Sequence, residues 1–244
     1  MRSPAALRNL SGQLSVATPS PWVWVVNGVD PASALKAPST RGSLRAEYVK
    51  PASLNHELPT AGRPELAFAG RSNAGKSTLV GELLGNPTLV RTSKSAGCTK
   101  TINFFALRDS SGVSQSYLVD LPGYGFARQN KRAVRQWTSV VNGYLQGRER
   151  SVLQRTFVLV DSRHGLQPGD EHMLSILDCA GVPNQVILTK VDKVSPHGLL
   201  KSVEGVCQVV LAHPASLPIV HCVSAHRGLG MAELASTVWD FGGD

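Results

Sequence analysis

The chain has 244 residues with 25 Lys and Arg against 17 Asp and Glu, a formal charge of +8. That length fits one α/β domain whose core needs no disulfide or metal staple, and the basic balance favours polyanionic partners such as nucleic acid or ribosomes. Cys98, Cys179, Cys207 and Cys222 form no C-x-x-C pair, which argues against a zinc site, and no apolar run approaches the ~18 residues that cross a bilayer, so no membrane partner is expected.

Residues 1–45 are rich in Ser, Ala and Pro and hold five basic residues, Arg2, Arg8, Lys36, Arg41 and Arg45, against Asp30. This composition suits an organellar transit peptide, with a retained tail as the alternative. A mitochondrial or other organellar matrix location is therefore expected, with the cytoplasm as the alternative. WVWVV at 22–26 is too apolar for simple disorder and suits a strand or a docking segment. Residues 46–244 read as the single globular domain.

ELAFA is the first expected buried strand, and GRSNAGKST follows it directly. Gly70, Gly75, Lys76 and Ser77 satisfy G-x-x-x-x-G-K-[ST]. Glycines let backbone N–H groups turn inward around phosphates, Lys76 would reach the outer phosphate oxygens, and Ser77 would place its hydroxyl on Mg²⁺. The helix after the loop would aim its positive end at the same anion. It should run through Leu79, Leu83 and Leu84 and stop near Gly85-Asn86-Pro87, leaving residues 88–101 as a mobile loop. INFFAL (102–107) and QSYLVD (115–120) then read as a hairpin.

Asp120-Leu121-Pro122-Gly123 closes the second hairpin strand, putting a carboxylate where it can hold Mg²⁺ through water and a glycine N–H where a γ-phosphate would lie. D-x-x-G is a weak signal alone; its order after the phosphate loop gives it weight. A helix should follow from about Gln129 to Gly147, with Trp137, Val141, Tyr144 and Leu145 on its core face. Arg128, Lys131, Arg132 and Arg135 would form a basic stripe, with Val134, Trp137 and Val141 on the opposite side.

Three strand-helix units complete the chain: strands 156–161, 185–189 and 218–224, with helices near 170–180, 197–212 and 229–239. The alternation predicts an α/β fold, a mostly parallel doubly wound sheet of about six strands with helices on both faces and its ligand at the strand carboxyl ends. Thr189-Lys190-Val191-Asp192 ends one strand; a carboxylate there accepts from both the ring N–H and the exocyclic amine of guanine, a donor pair adenine lacks. Ser224-Ala225, after the last strand, would direct a backbone N–H at the guanine carbonyl. His164, in Asp161-Ser-Arg-His-Gly165, reads as a turn histidine.

Together, GRSNAGKST, SKSAGCTKTINFF, DLPGYGFA, DSRHG, LTKVDK and VSA resemble, in order and spacing, the EngB (YihA) family of ribosome-assembly GTPases over roughly residues 46–240. The resemblance implies the three-layer P-loop GTPase fold, a monomer binding GTP or GDP with Mg²⁺, and action on a large-ribosomal-subunit precursor and its rRNA. It implies a nucleotide site made of Gly70, Arg71, Ser72, Asn73, Ala74, Gly75, Lys76, Ser77 and Thr78; Gly97, Cys98, Thr99, Lys100 and Thr101; Asp120 to Gly123; Thr189 to Asp192; and Val223 to Ala225. Mg²⁺ would be held by Ser77, Thr99 and Asp120, and catalysis would rest on Lys76, Thr99 and Asn73. Asn73 would help to hold a K⁺. Two positions differ from the family pattern: Ala96 stands where proline is usual and Cys98 where a basic residue is usual. Tyr124 occupies the position at which Ras-type GTPases carry the water-orienting glutamine, so slow intrinsic turnover is expected. A nucleotide-binding RNA chaperone or scaffold with little hydrolysis is the rival reading, and a P-loop ATPase or small-molecule kinase is a third.

Overall fold

The computed structural model describes residues 16–20, 22–26, 45–52, 58–59, 62–94, 101–108, 111–125 and 131–239. In chain order the elements are β1 (Val16–Ser20), β2 (Val23–Val26), β3 (Arg45–Ala52), β4 (Glu65–Gly70), α1 (Lys76–Leu83), α2 (Pro87–Lys94), β5 (Ile102–Arg108) and β6 (Ser114–Asp120). They continue with α3 (Lys131–Gly147), β7 (Leu153–Asp161), α4 (Pro168–Ala180), β8 (Asn184–Thr189), a 3₁₀ turn (Val191–Lys193), α5 (Pro196–Leu211), β9 (Ser216–Cys222) and α6 (Met231–Trp239).

One sheet runs through the molecule in the order β1-β2-β9-β8-β7-β4-β6-β5-β3. Its five central strands, β9 to β6 in that order, are parallel, and the outer four are antiparallel. The α/β class is as expected, but among the described residues nine strands stand where about six were expected. The additions are edge strands. β3, beside the expected β5, extends one side, and β1 and β2, from the amino-terminal extension, extend the other.

The central strands are apolar on both faces because each face is covered by helices. On one face β4, β7 and β8 pack with Val141, Tyr144 and Leu145 of α3, Met173, Leu174 and Leu177 of α4, and Val203, Val206 and Val210 of α5. Leu79, Val80 and Leu83 of α1, Val90 of α2, and Leu234 and Val238 of α6 cover the other face. β4 lies between β6 and β7, so the direction of winding reverses at it, and the loop after β4 opens at the switch point where such folds bind ligands.

Two expectations change. Pro87–Lys94, within the expected loop, is a helix; Asn86 Oδ1 accepts from the Thr88 amide at 3.2 Å and Pro87 sits in the first turn, so Asn-Pro begins a helix here. In α3, Val141, Tyr144 and Leu145 are buried as expected, but Val134 is 51% exposed. It precedes the part of the helix that meets the sheet.

Candidate nucleotide-binding site

The phosphate loop is shaped by three positions. Asn73 and Gly75 take left-handed backbone, with φ of 69° and 93°, and Gly75 caps α1. Gly70 needs its missing side chain: a Cβ there would lie 3.1 Å from Leu159 Cβ and 3.2 Å from its carbonyl. The loop is fastened to the neighbouring strand end, since Thr189 Oγ1 donates to the Ala74 carbonyl at 2.6 Å and Lys190 Nζ donates to the Asn73 carbonyl at 2.5 Å.

Lys76 and Asp120 are both buried and form an ion pair, Nζ to Oδ1. The D-x-x-G loop runs against the phosphate loop as a short parallel bridge between Arg71 and Tyr124. The Ser72 amide donates to the Tyr124 carbonyl at 2.8 Å, and the Tyr124 amide to the Gly70 carbonyl at 3.3 Å. Gly123 is placed so that a Cβ would come 3.1 Å from Ser72 Oγ. Its backbone therefore lies directly against the phosphate loop.

Tyr124 takes no such position with its side chain. Its hydroxyl is buried and donates to Asp170 Oδ1 at 3.0 Å, in the first turn of α4. Burial, and then the charge of Asp170, push the phenol well above its ordinary value. The other Asp170 oxygen accepts from the Gln167 amide at 2.9 Å and closes the α4 cap. Burial raises the Asp170 carboxyl, although the Gln167 and Tyr124 hydrogen bonds oppose that rise.

At the base end Lys190 is again left-handed, with φ of 57°, which turns the chain into the 3₁₀ segment carrying Asp192. Lys190 Nζ also pairs with Asp161 Oδ2 at 2.8 Å, and Arg163 grips the same carboxylate from Nε at 2.9 Å and Nη2 at 2.7 Å. Burial works against ionisation of Asp161, but these donors outweigh it and hold the carboxyl well below its usual range. The Ser224 hydroxyl is the largest influence on Asp192 and lowers its carboxyl. Val223 and Ser224 are buried and Ala225 half-buried at the end of β9.

The structure thus gathers the expected segments 70–78, 120–123, 189–192 and 223–225 at the carboxyl ends of β4, β6, β8 and β9. Thr101 precedes β5; Gly97, Cys98, Thr99 and Lys100 lie outside the described residues, as does Arg128. His164 is an exposed turn residue whose carbonyl accepts from Gln167. Three site-supporting groups were not assigned from the sequence: Asp161, Asp170 and the Trp137 indole, whose Nε1 donates to the Pro122 carbonyl at 2.8 Å. Only Asp161 left a local signal, as the acid of DSRHG at a strand end.

For Mg²⁺, Ser77 in the first turn of α1 and Asp120 at the end of β6 offer hard oxygen donors beside a buried lysine, a chemistry that suits the ion. Among the described residues no cluster of three or more His, Cys, Asp or Glu offers a purely protein-held metal site. No helix among them is long and apolar enough to cross a membrane.

A family model described as "50S ribosome-binding GTPase" matches residues 65–190. The "Probable GTP-binding protein EngB" of Jannaschia sp. (strain CCS1) is 44% identical over 181 residues, which is 74% of this chain and 80% of that protein. The chain belongs to the EngB family. The protein of the same name in Mesorhizobium japonicum is 42% identical over 185 residues, covering 74% of this chain and 86% of the relative. Membership makes the chain a GTPase, converting GTP to GDP and phosphate, and sets aside the ATPase or kinase reading. Among solved structures, "a probable GTP-binding protein engB" superposes with a TM-score of 0.57 at 21% identity, over 72% of this chain and 97% of that one. The bacterial selenocysteine-specific elongation factor EF-Sec gives a TM-score of 0.55 at 20% identity, over 73% and 28%. These two likenesses support the P-loop GTPase fold.

Proposed function

We propose that this GTPase is a nucleotide-controlled switch in assembly of the large ribosomal subunit, working as a monomer in an organellar matrix. The observation that carries the reading is the 2.8 Å bond from the Trp137 indole to the Pro122 carbonyl, which ties the D-x-x-G loop to α3, the helix that opens with Lys131 and Arg132. A change at the outer phosphate therefore has a direct route to a basic element. Arg135 of that helix is exposed. The basic extension and the ribosome-binding description of the family support the same partner.

In this reading Gly70 to Thr78 cradle the phosphates, Asp192 accepts from guanine, and Ser224-Ala225 face its carbonyl. Lys76 contacts the outer phosphate oxygens, leaving Asp120 to do so. Ser77 and Asp120 would hold Mg²⁺, joined by Thr99; the ion, when bound, offsets phosphate charge. Asn73 would help to hold K⁺. Tyr124 is committed to Asp170, so water is not oriented by the residue after D-x-x-G, and unassisted turnover is slow.

The test is sedimentation with large-subunit particles under GTP and under GDP across a salt titration. Binding should be stronger with GTP and should weaken with salt. Replacing Lys131, Arg132 and Arg135 with glutamine should weaken it and flatten the salt dependence with GTP affinity intact. Equal sedimentation in both nucleotides would refute the switch.

A further inference from the structure

The amino-terminal hairpin is not a loose tail beside the GTPase domain. β2 pairs antiparallel with β9 through Val23–His221, Trp24–Val220 and Val25–Ile219, and β1 pairs with β2. Val23, Trp24 and Val25 are 0–2% exposed, so β2 is an interior strand. Without it, β9 would be an open edge with unpaired backbone donors and acceptors.

The hairpin also touches the turn that carries the guanine contacts. This turn runs from Ser224 to Gly230, between β9 and α6, and is closed by Ser224 N to Leu229 O at 2.9 Å and Leu229 N to Ser224 O at 3.1 Å. On its near side the Cys222 amide donates to the Trp22 carbonyl at 2.8 Å. On its far side Gly230, at φ 66°, is so closely held that a Cβ would fall 2.2 Å from the Cys222 carbonyl and 3.1 Å from Trp22 Cβ. Just beyond it, Glu233 Oε1 accepts from Ser20 Oγ at 2.9 Å, and that same Oγ accepts from the Trp22 amide at 3.1 Å. Both ends of the turn are therefore gripped by residues 20–22. Beside it, the Val191 amide, next to Asp192, donates to the Val223 carbonyl at 3.3 Å, and the Ser224 hydroxyl lowers the Asp192 carboxyl.

We propose that the hairpin Val16–Val26 is a brace for the guanine pocket, with Trp22 and Ser20 as positioning residues that fix the Ser224–Gly230 turn and, through the Val223–Val191 backbone bond beside it, the position of Asp192. The inference rests on the guanine-site reading above. It also requires any cut that removes a presequence to leave residues 16–26 on the functional chain. Selectivity is the decisive readout. GDP presents both the ring N–H and the exocyclic amine, whereas IDP lacks the amine, so a misplaced Asp192 costs GDP more than IDP. A fold merely weakened lowers the active fraction and leaves the ratio of the two dissociation constants unchanged.

The experiment measures GDP and IDP affinity on the full chain carrying Trp22→Ala, Trp22→Phe, Ser20→Ala or Asp192→Asn. Trp22→Ala should cut the GDP preference about three- to tenfold, the scale of one lost hydrogen bond, and speed GDP release. Trp22→Phe should restore most of it, because an aromatic ring again packs against the core beside the turn, while the backbone bond to Cys222 is kept in both variants. Ser20→Ala disturbs no core packing and should act in the same direction, so the proposal stands or falls on it if Trp22→Ala does not fold. Asp192→Asn separates the two readings. If it erases the GDP preference while Trp22→Ala or, failing that, Ser20→Ala leaves the preference at the parent value, the brace is refuted and the guanine site stands. If Asp192→Asn itself leaves the preference intact, the guanine assignment fails and the brace with it.

Discussion

The peptide unit between Pro122 and Gly123 does two things at once. Its carbonyl accepts the Trp137 indole hydrogen bond at 2.8 Å, and its N–H is the group that faces the outermost phosphate in the proposed site. Because a peptide is planar and trans, its C=O and N–H point in opposite directions and cannot turn independently. Trp137 thus sets where the Gly123 N–H points. The Trp137 ring packs edge-on against Tyr124 at 5.6 Å and 66° between planes; in Trp137→Phe a ring still packs there, but the donor is gone. A neutral hydrogen bond of this kind is worth about 1 kcal/mol, and freeing the peptide to rotate should weaken GTP roughly fivefold. GDP has no phosphate there, so its affinity should stay within about twofold of the parent. Packing lost with the smaller ring would lower the unfolding midpoint without choosing between the nucleotides. Equilibrium binding of fluorescent GTP-analogue and GDP, beside a thermal melt, reads all three quantities. An unchanged ratio of GTP to GDP affinity would refute the argument, and so would an equal loss for both.

Other outcomes follow from single contacts. Tyr124→Phe keeps the ring but leaves a buried Asp170 oxygen without its donor, so stability should fall by about 2 kcal/mol near neutral pH; turnover per bound GTP should hold, and a tenfold loss would mean that the hydroxyl acts on the phosphates. Asp192→Asn should weaken GTP and favour xanthosine nucleotides, in which the base pairing with the side chain is reversed; competition binding reads this, and undiminished GTP affinity would count against it. If Asn73 helps to hold K⁺, hydrolysis should be faster in KCl than in NaCl and the difference should vanish in Asn73→Ala; equal rates in the two salts exclude it. His221 is fully buried on β9, and burial followed by the Arg155 charge depresses its imidazole to about 3. The unfolded chain takes up that proton first, so this stability is present above about pH 6.5 and is lost, by up to ~1.4 kcal/mol per pH unit, as pH falls from there towards 3. His221→Leu should flatten the dependence of the urea midpoint on pH between 6.5 and 5, and an unaltered slope would refute the assignment.

The phosphate, D-x-x-G and T-K-x-D segments were legible because each needs particular residue types in a contiguous run at a strand end. Gly70, Asn73 and Gly75 are fixed by backbone demands that glycine and asparagine announce. What escaped had no such local cause. Composition marked residues 1–45 as an extension, and its Ser, Ala and Pro content hid the fact that WVWVV is pinned between β1 and β9, a property of the partner strand's register. Asn86-Pro87 resembles a stop in sequence because Pro ends helices more visibly than it starts them. Tyr124 and Asp170 are 46 positions apart, and Glu65, Tyr144 and Arg148 form a buried polar group joining β4 to α3, with Tyr144 donating to Glu65 at 2.8 Å and Arg148 pairing with it at 2.9 Å. Spacing along the chain carries no trace of either.

The same contrast explains how the site is held. A phosphate-binding loop cannot support itself, since its function leaves its inward N–H groups without intramolecular partners until an anion arrives. Its outward groups must then be tied to neighbours that do not move, and here they are: Ala74 to Thr189, Asn73 to Lys190, Gly70 and Ser72 to Tyr124. Each neighbour is itself anchored away from the nucleotide. Thr189 ends a buried parallel strand, Lys190 is paired with Asp161, and Tyr124 is fixed to the capped start of α4. The D-x-x-G segment shares these anchors through Tyr124 and adds a contact to α3 through Pro122 and Trp137. Rotation of the Pro122–Gly123 peptide is therefore the movement with the least to break: it exchanges one neutral hydrogen bond, whereas shifting Tyr124 would also strand a buried carboxylate. In the proposed switch that difference, about 1 kcal/mol against 2 or more, would direct a response to the outer phosphate towards α3 and away from α4.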